Sequence, residues 1–289
     1  MNSGASEPVP RKLNDRKFND LLSFLSKVQS AVLAYSGGVD SSLLLKAMKL
    51  SGIRFLAVTA FSETMPEKDF NHAVSFAKKI GVEHLVIHTE ELTNESFVSN
   101  PPDRCFYCKE ELFRKLRKIA EGKNYEHLFD GTNTDDLRDY RPGLKAAALY
   151  GVKSPLAENG FSKKDIRSMS RELGLSTWDH PSSPCLSSRF PYGRRITLSG
   201  LRQVEKAEEF LRELGLQEFR VRNHGEIARI EVNEKNMNTF LEPENRRKIT
   251  EALKAMGFSF VALDLEGYIS GSMNRSLEED TNPKPGTSN

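Results

Sequence analysis

Two kinds of hydrophobic pattern alternate along residues 13–180. Short runs of consecutive apolar residues are typical of strands buried on both faces, and apolar residues recurring every three or four positions are typical of amphipathic helices. The predicted strands are 31–35, 54–58, 83–88 and 127–130. The predicted helices lie near 18–25, 43–48, 69–80, 105–120 and 165–173. This alternation predicts an α/β fold, with a mostly parallel sheet and helices on both of its faces.

The pattern changes after residue 175. Residues 176–200 are rich in Ser, Pro, Gly and Arg and predict a long irregular segment, which is more often functional than idle. A helix over 201–214 is predicted next, and two strands, 219–222 and 228–232, alternate apolar and charged residues around a turn. The remaining predictions are a helix near 244–256 and a strand at 258–263. Together they indicate a smaller C-terminal α+β domain.

These patterns divide the chain into four parts. We predict a flexible lead over 1–12, an α/β domain over 13–180, an α+β domain over 181–275, and a disordered tail over 276–289. The chain has 289 residues, of which 38% are hydrophobic and 28% charged, and this is the composition of a chain that folds around a core.

Charge and apolar content limit which binding partners and which cellular compartment we expect for this protein. The formal net charge of +2 does not favour nucleic acid as a partner. No apolar run approaches the ~18–20 residues that span a bilayer, and no apolar signal segment follows the N-terminus. Three cysteines in a chain of this length favour a reducing compartment over a disulfide scaffold. We therefore expect a cytoplasmic protein with no membrane partner.

The motif SGGVDSS, residues 36–42, joins the first predicted strand to the next helix. Its glycines let the backbone approach a phosphate, and the helix start offers free N–H groups to the anion. Asp40 would need a bridging Mg²⁺ to lie beside a phosphate. An ordinary turn capped by Ser and Asp is the alternative. The candidate nucleotide-binding residues are Ser36, Gly37, Gly38, Asp40 and Ser41.

The motif is neither a Walker A loop nor a dinucleotide-binding G-x-G-x-x-G. It resembles the PP-loop of N-type ATP pyrophosphatases. The resemblance implies that ATP is cleaved between its α and β phosphates, which releases pyrophosphate and leaves AMP on the substrate. The loop after the fourth strand then resembles the second nucleotide-side loop of this superfamily, with Gly131, Thr132 and Asn133 close to AMP. Ligands of open α/β sheets bind at the carboxyl ends of the strands, where both loops are predicted.

The three cysteines allow several interpretations. Cys105 and Cys108 form a C-x-x-C motif at a predicted helix start, and Cys185 is the third. Three thiolates could hold three irons of a four-iron four-sulfur cluster and leave the fourth iron open for a hydrosulfide. A zinc site completed by His180, a metal-free persulfide relay that uses Cys185, and buried inert thiols are the alternatives. Spacing alone does not decide among these four.

Four further motifs carry a more specific resemblance. They are CLSSRFPYG (185–193), DGTNTDDLRDYRPGLKAA (130–147), FRVRNHGEIARIEV (219–232) and LEGYISGSMN (265–274). Over roughly residues 15–275 the chain resembles the LarE family, the ATP-dependent sulfur insertases of lactate racemase cofactor maturation. This resemblance implies a PP-loop domain over 13–180 and a sulfur-transfer and substrate domain over 181–275.

The same resemblance implies a substrate and a sulfur source. The enzyme would adenylylate the carboxylates of a pyridinium-3,5-dicarboxylate mononucleotide and replace AMP by sulfur, giving thiocarboxylates for the nickel-pincer cofactor. Some family members sacrifice the sulfur of a single cysteine, whereas others bind a four-iron four-sulfur cluster through three. Cys105, Cys108 and Cys185 match the second type.

The resemblance also marks catalytic candidates. Lys109 matches an active-site lysine of the family, and Glu208 matches an acidic position of its substrate site. Arg189 follows Cys185 by four residues, and a guanidinium there is suited to hold a phosphate or a carboxylate. An exposed helix lysine and surface salt bridges are the alternatives for Lys109 and Glu208.

A second group of residues is predicted to bind the substrate phosphate. Arg220 and Arg222 lie two positions apart on a predicted strand and therefore face one side of it. They match the phosphate-binding arginines of the family, and Glu231 matches an acidic position beside them. A solvated strand face is the alternative. Where some members have another acidic residue, this chain has Thr239, which weakens any metal role for that acidic cluster.

Three other functions share parts of these motifs. A cluster-dependent tRNA thiolase also joins a PP-loop to three cysteines, but it usually carries an added tRNA-binding module and a strongly basic balance. An amidotransferase-type ligase would need ammonia and no cluster. A non-catalytic adenine-nucleotide-binding protein would have no need of Asp40, Lys109 and Arg189 together. The sequence does not indicate the sulfide donor, and the resemblance suggests a homo-oligomer with a small nucleotide as substrate.

Overall fold

The computed structural model describes residues 15–181, 183–269 and 271–275. The chain forms two compact units. The first contains residues 15–91 and Cys105–Ser183, and the second contains Leu92–Arg104 and residues 184–275. The lead predicted over 1–12 and the tail predicted over 276–289 lie outside the described residues.

A five-stranded sheet in the order β3-β2-β1-β4-β5 forms the centre of the first unit, and every pair of neighbouring strands is parallel. The strands are β1 (Ser30–Ala34), β2 (Arg54–Phe61), β3 (His84–His88), β4 (His127–Phe129) and β5 (Val152–Lys153). The predicted α/β fold with a parallel sheet is therefore confirmed.

Helices connect these strands. The longer ones are α1 (Arg16–Ser26), α2 (Val39–Ser51), α3 (Glu67–Ile80), α5 (Arg104–Gly122) and α8 (Lys163–Glu172), and the short ones are α6 (Gly143–Leu149) and α7 (Pro155–Glu158). Strand β1 and most of α2 are buried, which is why their sequence reads as nearly continuous apolar runs. The core that they share with α1 and α8 anchors the turn between β1 and α2.

The second unit contains a three-stranded sheet. Its helices are α4 (Glu95–Val98), α9 (Leu198–Glu213), α10 (Glu234–Leu241) and α11 (Pro243–Ala255), and its strands are β6 (Phe219–Asn223), β7 (Ile227–Val232) and β8 (Phe260–Leu263). Strand β7 pairs antiparallel with β6 and parallel with β8. Val221, Ile230 and Leu253 are fully or almost fully buried in the core of this unit.

The segment Leu92–Arg104 groups with the second unit, whereas the sequence prediction placed it in the first domain. Asn100 explains the difference, because its buried amide donates to the backbone oxygens of Phe190 (3.2 Å) and Pro191 (2.7 Å). Its own backbone oxygen accepts from Gly193 N, and Ile196 N donates to Val98 O. These bonds between distant parts of the chain leave no mark in local periodicity.

Several short elements were not predicted. Strand β5 and helices α4, α6, α7 and α10 contain eight residues or fewer, too few for a periodic pattern to stand out. Helix α9 starts at Leu198 rather than at 201, since Thr197 caps it by accepting from Gly200 N. Among the described residues, no helix has the length and apolar character needed to cross a membrane.

Candidate active site

The glycine-rich turn lies between the carboxyl end of β1 and the first turn of α2. Gly37 has φ of 77°, and a Cβ there would approach the Cβ of Ala73 on α3 to 2.6 Å. Only glycine therefore fits this conformation and this close packing. Gly38 begins α2 with no side-chain cap, so the first N–H groups of the helix remain available to an anion. The Ser36 and Ser41 hydroxyls are 3.1 Å apart beside them.

The second loop packs directly against this turn. A Cβ on Gly131 would lie 2.9 Å from Ser41 N and 3.1 Å from Ser41 Cα, so glycine permits the approach of the two loops. The Thr132 hydroxyl donates to Asp130 (2.8 Å), and Asn133 Oδ1 accepts from two following backbone N–H groups. The side chains of Thr132 and Asn133 thus shape the loop that the sequence predicted to lie near AMP.

Asp40 is the acidic group of the glycine-rich turn. Its Oδ2 accepts from Lys163 Nζ at 2.5 Å, and its Oδ1 is buried with no hydrogen-bond partner in the structure. Burial raises the pKa of Asp40, and Lys163 offsets only part of that effect. A buried carboxylate oxygen without a partner is costly unless a cation binds it, so Asp40 fits the predicted Mg²⁺ ligand.

Cys105 and Cys108 lie in the first turns of α5, in the first unit. Cys105 is exposed, whereas Cys108 is half-buried with its Sγ 3.5 Å from Glu91 Oε1. The Lys109 ammonium lies over the Phe113 ring, 5.5 Å from its centroid. The stem of Lys109 packs on Gly143 of α6, where a Cβ would approach Lys109 Cγ to 2.9 Å. Helix α6 therefore supports the turn of α5 that carries the thiols.

Cys185 lies in the second unit and precedes a short 3₁₀ helix that ends at Arg189. Arg189 is almost fully buried and donates to both carboxylate oxygens of Glu208 at 2.8 Å. It also donates to the backbone oxygens of Pro184 (2.8 Å) and Cys185 (3.2 Å). Burial opposes ionisation of Glu208, but Arg189 outweighs it and holds the pKa of Glu208 below its ordinary value. Arg189 thus links the Cys185 turn to α9.

The predicted phosphate-binding arginines lie on β6. Arg222 is buried, and it donates to Glu231 Oε2 (2.6 Å) and to Ser188 O (2.8 Å). Glu231 also accepts from Arg229 (2.7 Å). Arg220 is half-buried over the Tyr268 ring, 5.0 Å from its centroid, and burial followed by repulsion from Arg189 lowers its pKa. Arg220 is the more accessible of the two predicted phosphate ligands.

The structure separates the predicted residues into two sets. The nucleotide loops, Cys105, Cys108 and Lys109 lie in the first unit, while Cys185, Arg189, Glu208 and the β6 arginines lie in the second. No disulfide joins any of the three cysteines, all of which are described. Across residues 15–181, 183–269 and 271–275 there is no cluster of three His, Cys, Asp or Glu side chains arranged to hold a metal ion. The three thiols of the predicted cluster are therefore divided between the units as two and one.

Sequence reasoning missed two residues of the first unit. Lys163, at the start of α8, pairs with Asp40 across 123 positions of sequence. A lysine in the first turn of a helix is electrostatically unfavourable, and this unusual placement is the sequence feature that could have marked Lys163 as a functional candidate. Glu91 is 4% exposed and accepts from Thr89 (2.9 Å) beside Cys108. Nothing in the sequence pattern distinguished Glu91 from its neighbour Glu90.

Comparison with known proteins places the chain among ATP-using enzymes and their relatives. The model of the NAD synthase family matches residues 21–120. A Lactiplantibacillus plantarum protein named pyridinium-3,5-bisthiocarboxylic acid mononucleotide synthase is 39% identical over 89% of this chain and 93% of its own length. Uncharacterized proteins of Synechocystis and Methanocaldococcus jannaschii are 42% and 35% identical, over 91% and 84% of this chain and 98% and 92% of their own lengths.

Proposed function

Because the chain belongs to the family of pyridinium-3,5-bisthiocarboxylic acid mononucleotide synthases, also called LarE, we propose that it inserts sulfur into a pyridinium-3,5-dicarboxylate mononucleotide at the expense of ATP. The observation that carries the proposal is the pair of loops around Ser41, with the buried oxygen of Asp40 beside them. These features fit a Mg²⁺-bound triphosphate.

The first step activates a carboxylate. A carboxylate resists attack by a sulfur anion, since the attack brings two negative charges together. A substrate carboxylate oxygen instead attacks the α phosphorus of ATP, the bond to the β phosphate breaks, and pyrophosphate leaves. The N–H groups at the start of α2 and the Ser36 and Ser41 hydroxyls would bind the phosphate oxygens. Asp40 would hold the Mg²⁺ that neutralises them.

The second step forms the thiocarboxylate. A sulfur nucleophile attacks the activated carbonyl carbon, and the carbon–oxygen bond to AMP breaks, so AMP leaves with both bonding electrons. We propose that Cys105, Cys108 and Cys185 hold a four-iron four-sulfur cluster, which would supply sulfide from its open iron. Lys109, close in sequence to both α5 thiols, would bind a negative charge of the activated substrate. A second round would convert the other carboxylate.

Residues of the second unit would orient the substrate. Arg220 would bind the substrate phosphate, with Arg222 and Glu231 fixing the strand geometry behind it. Arg189 would hold the Cys185 turn through the Pro184 and Cys185 oxygens, with Glu208 neutralising its buried charge. The product would serve the nickel-pincer cofactor of lactate racemase. We further propose a cytoplasmic homo-oligomer, with the sulfide donor left unspecified.

The direct test is incubation of the purified protein with ATP, Mg²⁺, sulfide and the pyridinium dicarboxylate mononucleotide under anaerobic conditions. We expect pyrophosphate and AMP to form together, and mass spectrometry to show replacement of carboxylate oxygen by sulfur. Asp40→Asn should lose pyrophosphate release, whereas Asp20→Asn, an exposed control on α1, should keep it. Pyrophosphate formation that does not depend on the mononucleotide would contradict the proposed substrate.

The cluster requires its own measurement. Anaerobic reconstitution followed by iron and acid-labile sulfide analysis should give a coloured protein with nearly equal iron and sulfide. Alanine substitution of any of the three cysteines should reduce both contents together. A colourless protein without iron, which still forms thiocarboxylate, would exclude the cluster; direct attack by sulfide would then remain, or a cysteine persulfide loaded from a sulfane-sulfur donor.

A further inference from the structure

A cavity of about 380 Å³ lies entirely within the second unit, at the N-terminal end of α9. Arg194 and Arg195 line it, together with the hydroxyls of Thr197 and Ser199 and the amide of Asn223. None of the loops assigned to ATP and none of the three cysteines contributes to its lining. The cavity therefore presents a set of hydrogen-bond donors that the proposed sulfur transfer does not use.

Arg194 is exposed, and no carboxylate of the described residues forms an ion pair with its guanidinium. Arg195, by contrast, pairs with Glu95 on α4. The guanidinium of Arg194 lies against the turn at Gly225, where a Cβ would fall 1.9 Å from Nη2. Glycine at 225, with φ of 80°, thus leaves the space that Arg194 occupies at the cavity. The cavity therefore carries the positive charge of an exposed arginine that lies against this turn.

The first turn of α9 adds backbone donors to this charge. Thr197 Oγ1 accepts from Gly200 N at 3.1 Å, which leaves the N–H groups of residues 198 and 199 without helical acceptors. The first turn contains no acidic residue that would repel an anion. A Cβ on Gly200 would lie 2.9 Å from Phe190 Cε1, so the helix start packs tightly on the Phe190 ring. This packing holds the donors in a fixed place at the cavity.

Asn223 supplies a buried donor from a different element, strand β6. Its side chain is 4% exposed, its Oδ1 accepts from Gly225 N (2.9 Å), and its Nδ2 donates to Gln203 Oε1 (3.3 Å). An amide nitrogen carries two hydrogens, so one remains for a ligand in the cavity. The orientation of this amide is determined by both bonds, which makes Asn223 a pre-positioned donor rather than a mobile surface group.

We propose that this cavity binds the phosphate group of a small phosphorylated molecule, separately from the ATP loops. The residues that line the cavity come from three elements and carry a guanidinium, two hydroxyls, backbone N–H groups and a buried amide, and a phosphate has enough acceptor oxygens to bind several such donors. Ligand pockets in proteins begin at about 300 Å³, so the volume accommodates the phosphate together with part of the molecule that carries it. The proposal rests on the geometry of the second unit alone and does not depend on sulfur transfer.

The test is calorimetric titration of inorganic phosphate into the full-length protein, with the ATP loops saturated by a non-hydrolysable ATP analogue. Arg194→Gln should weaken phosphate binding at least about tenfold, equivalent to about 1.4 kcal/mol. The matched control is Arg202→Gln, because Arg202 is exposed on the same helix and does not line the cavity. The control removes the same net charge and should bind phosphate within about twofold of wild type.

A second variant separates loss of binding from loss of folding. Ser199→Asp places a carboxylate at the start of α9, where it favours the helix and repels a phosphate. Its thermal midpoint should equal or exceed that of wild type while phosphate binding is lost. Unchanged phosphate binding in both Arg194→Gln and Ser199→Asp would overturn the proposal. An equal loss in Arg194→Gln and Arg202→Gln would also overturn it, since the effect would then reflect net charge alone.

Discussion

At the scale of single residues, Asp40 and Arg189 differ in whether their polar atoms all have partners within the chain. Asp40 keeps one buried oxygen without a partner, and Arg189 is satisfied by one carboxylate and two backbone oxygens. A buried charge with an open coordination position is suited to bind a cofactor ion, whereas a saturated one is suited to hold a loop in place. The contacts of Asp40 therefore suit the proposed Mg²⁺ site and those of Arg189 suit holding the Cys185 turn, although both were predicted as ligand-binding residues.

The pair formed by Asp40 and Lys163 allows a double-mutant test. Lys163→Met leaves the half-buried Asp40 carboxylate, one oxygen of which is buried, without its cation and should lower the thermal midpoint, because an uncompensated charge of this kind is costly. Adding Asp40→Asn should recover much of that loss, while pyrophosphate release is abolished in Asp40→Asn and in the double variant. Thermal unfolding and a pyrophosphate assay measure the two effects. Strictly additive changes in the midpoint would show that the two groups are not coupled.

Gly131 allows a test of the contact between the two nucleotide loops. Gly131→Ala places a Cβ 2.9 Å from Ser41 N, a backbone atom that cannot rotate away, so the loops must separate. We expect ATP to bind at least about tenfold more weakly and stability to fall by about 1–3 kcal/mol. Gly122→Ala is the control, since a Cβ at this position on α5 would meet nothing within 4 Å and alanine favours a helix. Equal ATP affinity in both variants would contradict the role given to Gly131.

At the scale of elements, helix starts hold the functional groups in place. Helix α8 begins with a capping box, in which Ser162 and Asp165 exchange hydrogen bonds, and its first residue is Lys163. Asp165 also accepts from Lys17 of α1 at 2.7 Å. The same bonds that begin α8 therefore fix the residue that pairs with Asp40, and α1 contributes to them.

Asp165 makes the stability of this arrangement depend on pH. Its hydrogen bond from Lys17, followed by that from Ser162, lowers its pKa from 3.8 to about 2. The group is therefore more acidic when folded than when unfolded, so its contribution is complete above the unfolded pKa and is lost as the pH falls through the folded value. Asp165→Asn should be less stable than wild type at pH 6, and the difference should shrink toward pH 3.

Urea unfolding at both pH values measures this difference. Asp20→Asn, which removes an exposed carboxylate on α1, should show no comparable pH dependence. A stability difference between Asp165→Asn and wild type that stayed constant from pH 6 to pH 3 would contradict the assignment of the lowered pKa to the folded state.

At the scale of the whole molecule, the chain passes between its units three times, after residues 91, 104 and 183. Residues 92–104 belong to the second unit, and the chain re-enters the first unit at Cys105. Asn100 holds this segment in the second unit, because it is fully buried and forms hydrogen bonds with Phe190, Pro191 and Arg104. Its φ of 57° is a conformation that asparagine tolerates better than most residues.

Asn100→Ala tests how the second unit depends on this segment. The change removes three side-chain hydrogen bonds and places alanine at positive φ, so we expect a loss of about 2–4 kcal/mol. Hydrogen exchange followed by mass spectrometry should show faster exchange in residues 190–196, with β1 and β2 protected as in wild type. Ser96→Ala, at an exposed position of α4, is the control. Equal protection of residues 190–196 in wild type and Asn100→Ala would show that the segment does not support this part of the unit.

Local sequence pattern was sufficient to predict four of the five strands of the first unit, the glycine-rich turn and the hairpin of the second unit. These features depend on the backbone needs of neighbouring residues, such as burial on both strand faces and positive φ at Gly37, and local pattern records such needs. The family resemblance likewise came from contiguous motifs. Contiguous motifs therefore suffice to identify these candidate residues, with Lys163 and Glu91 as exceptions.

Tertiary packing determines which of those residues have all their hydrogen-bond and charge partners within the chain, and which keep a position open for a ligand. Lys163 meets Asp40 across 123 positions, Arg189 meets Glu208 across 19, and Asn100 meets Phe190 across 90. Charge pairing and hydrogen bonding at such separations depend on how the elements pack, and packing leaves no periodic trace in the chain. The phosphate cavity has the same origin, because its donors come from a loop, the start of α9 and the end of β6.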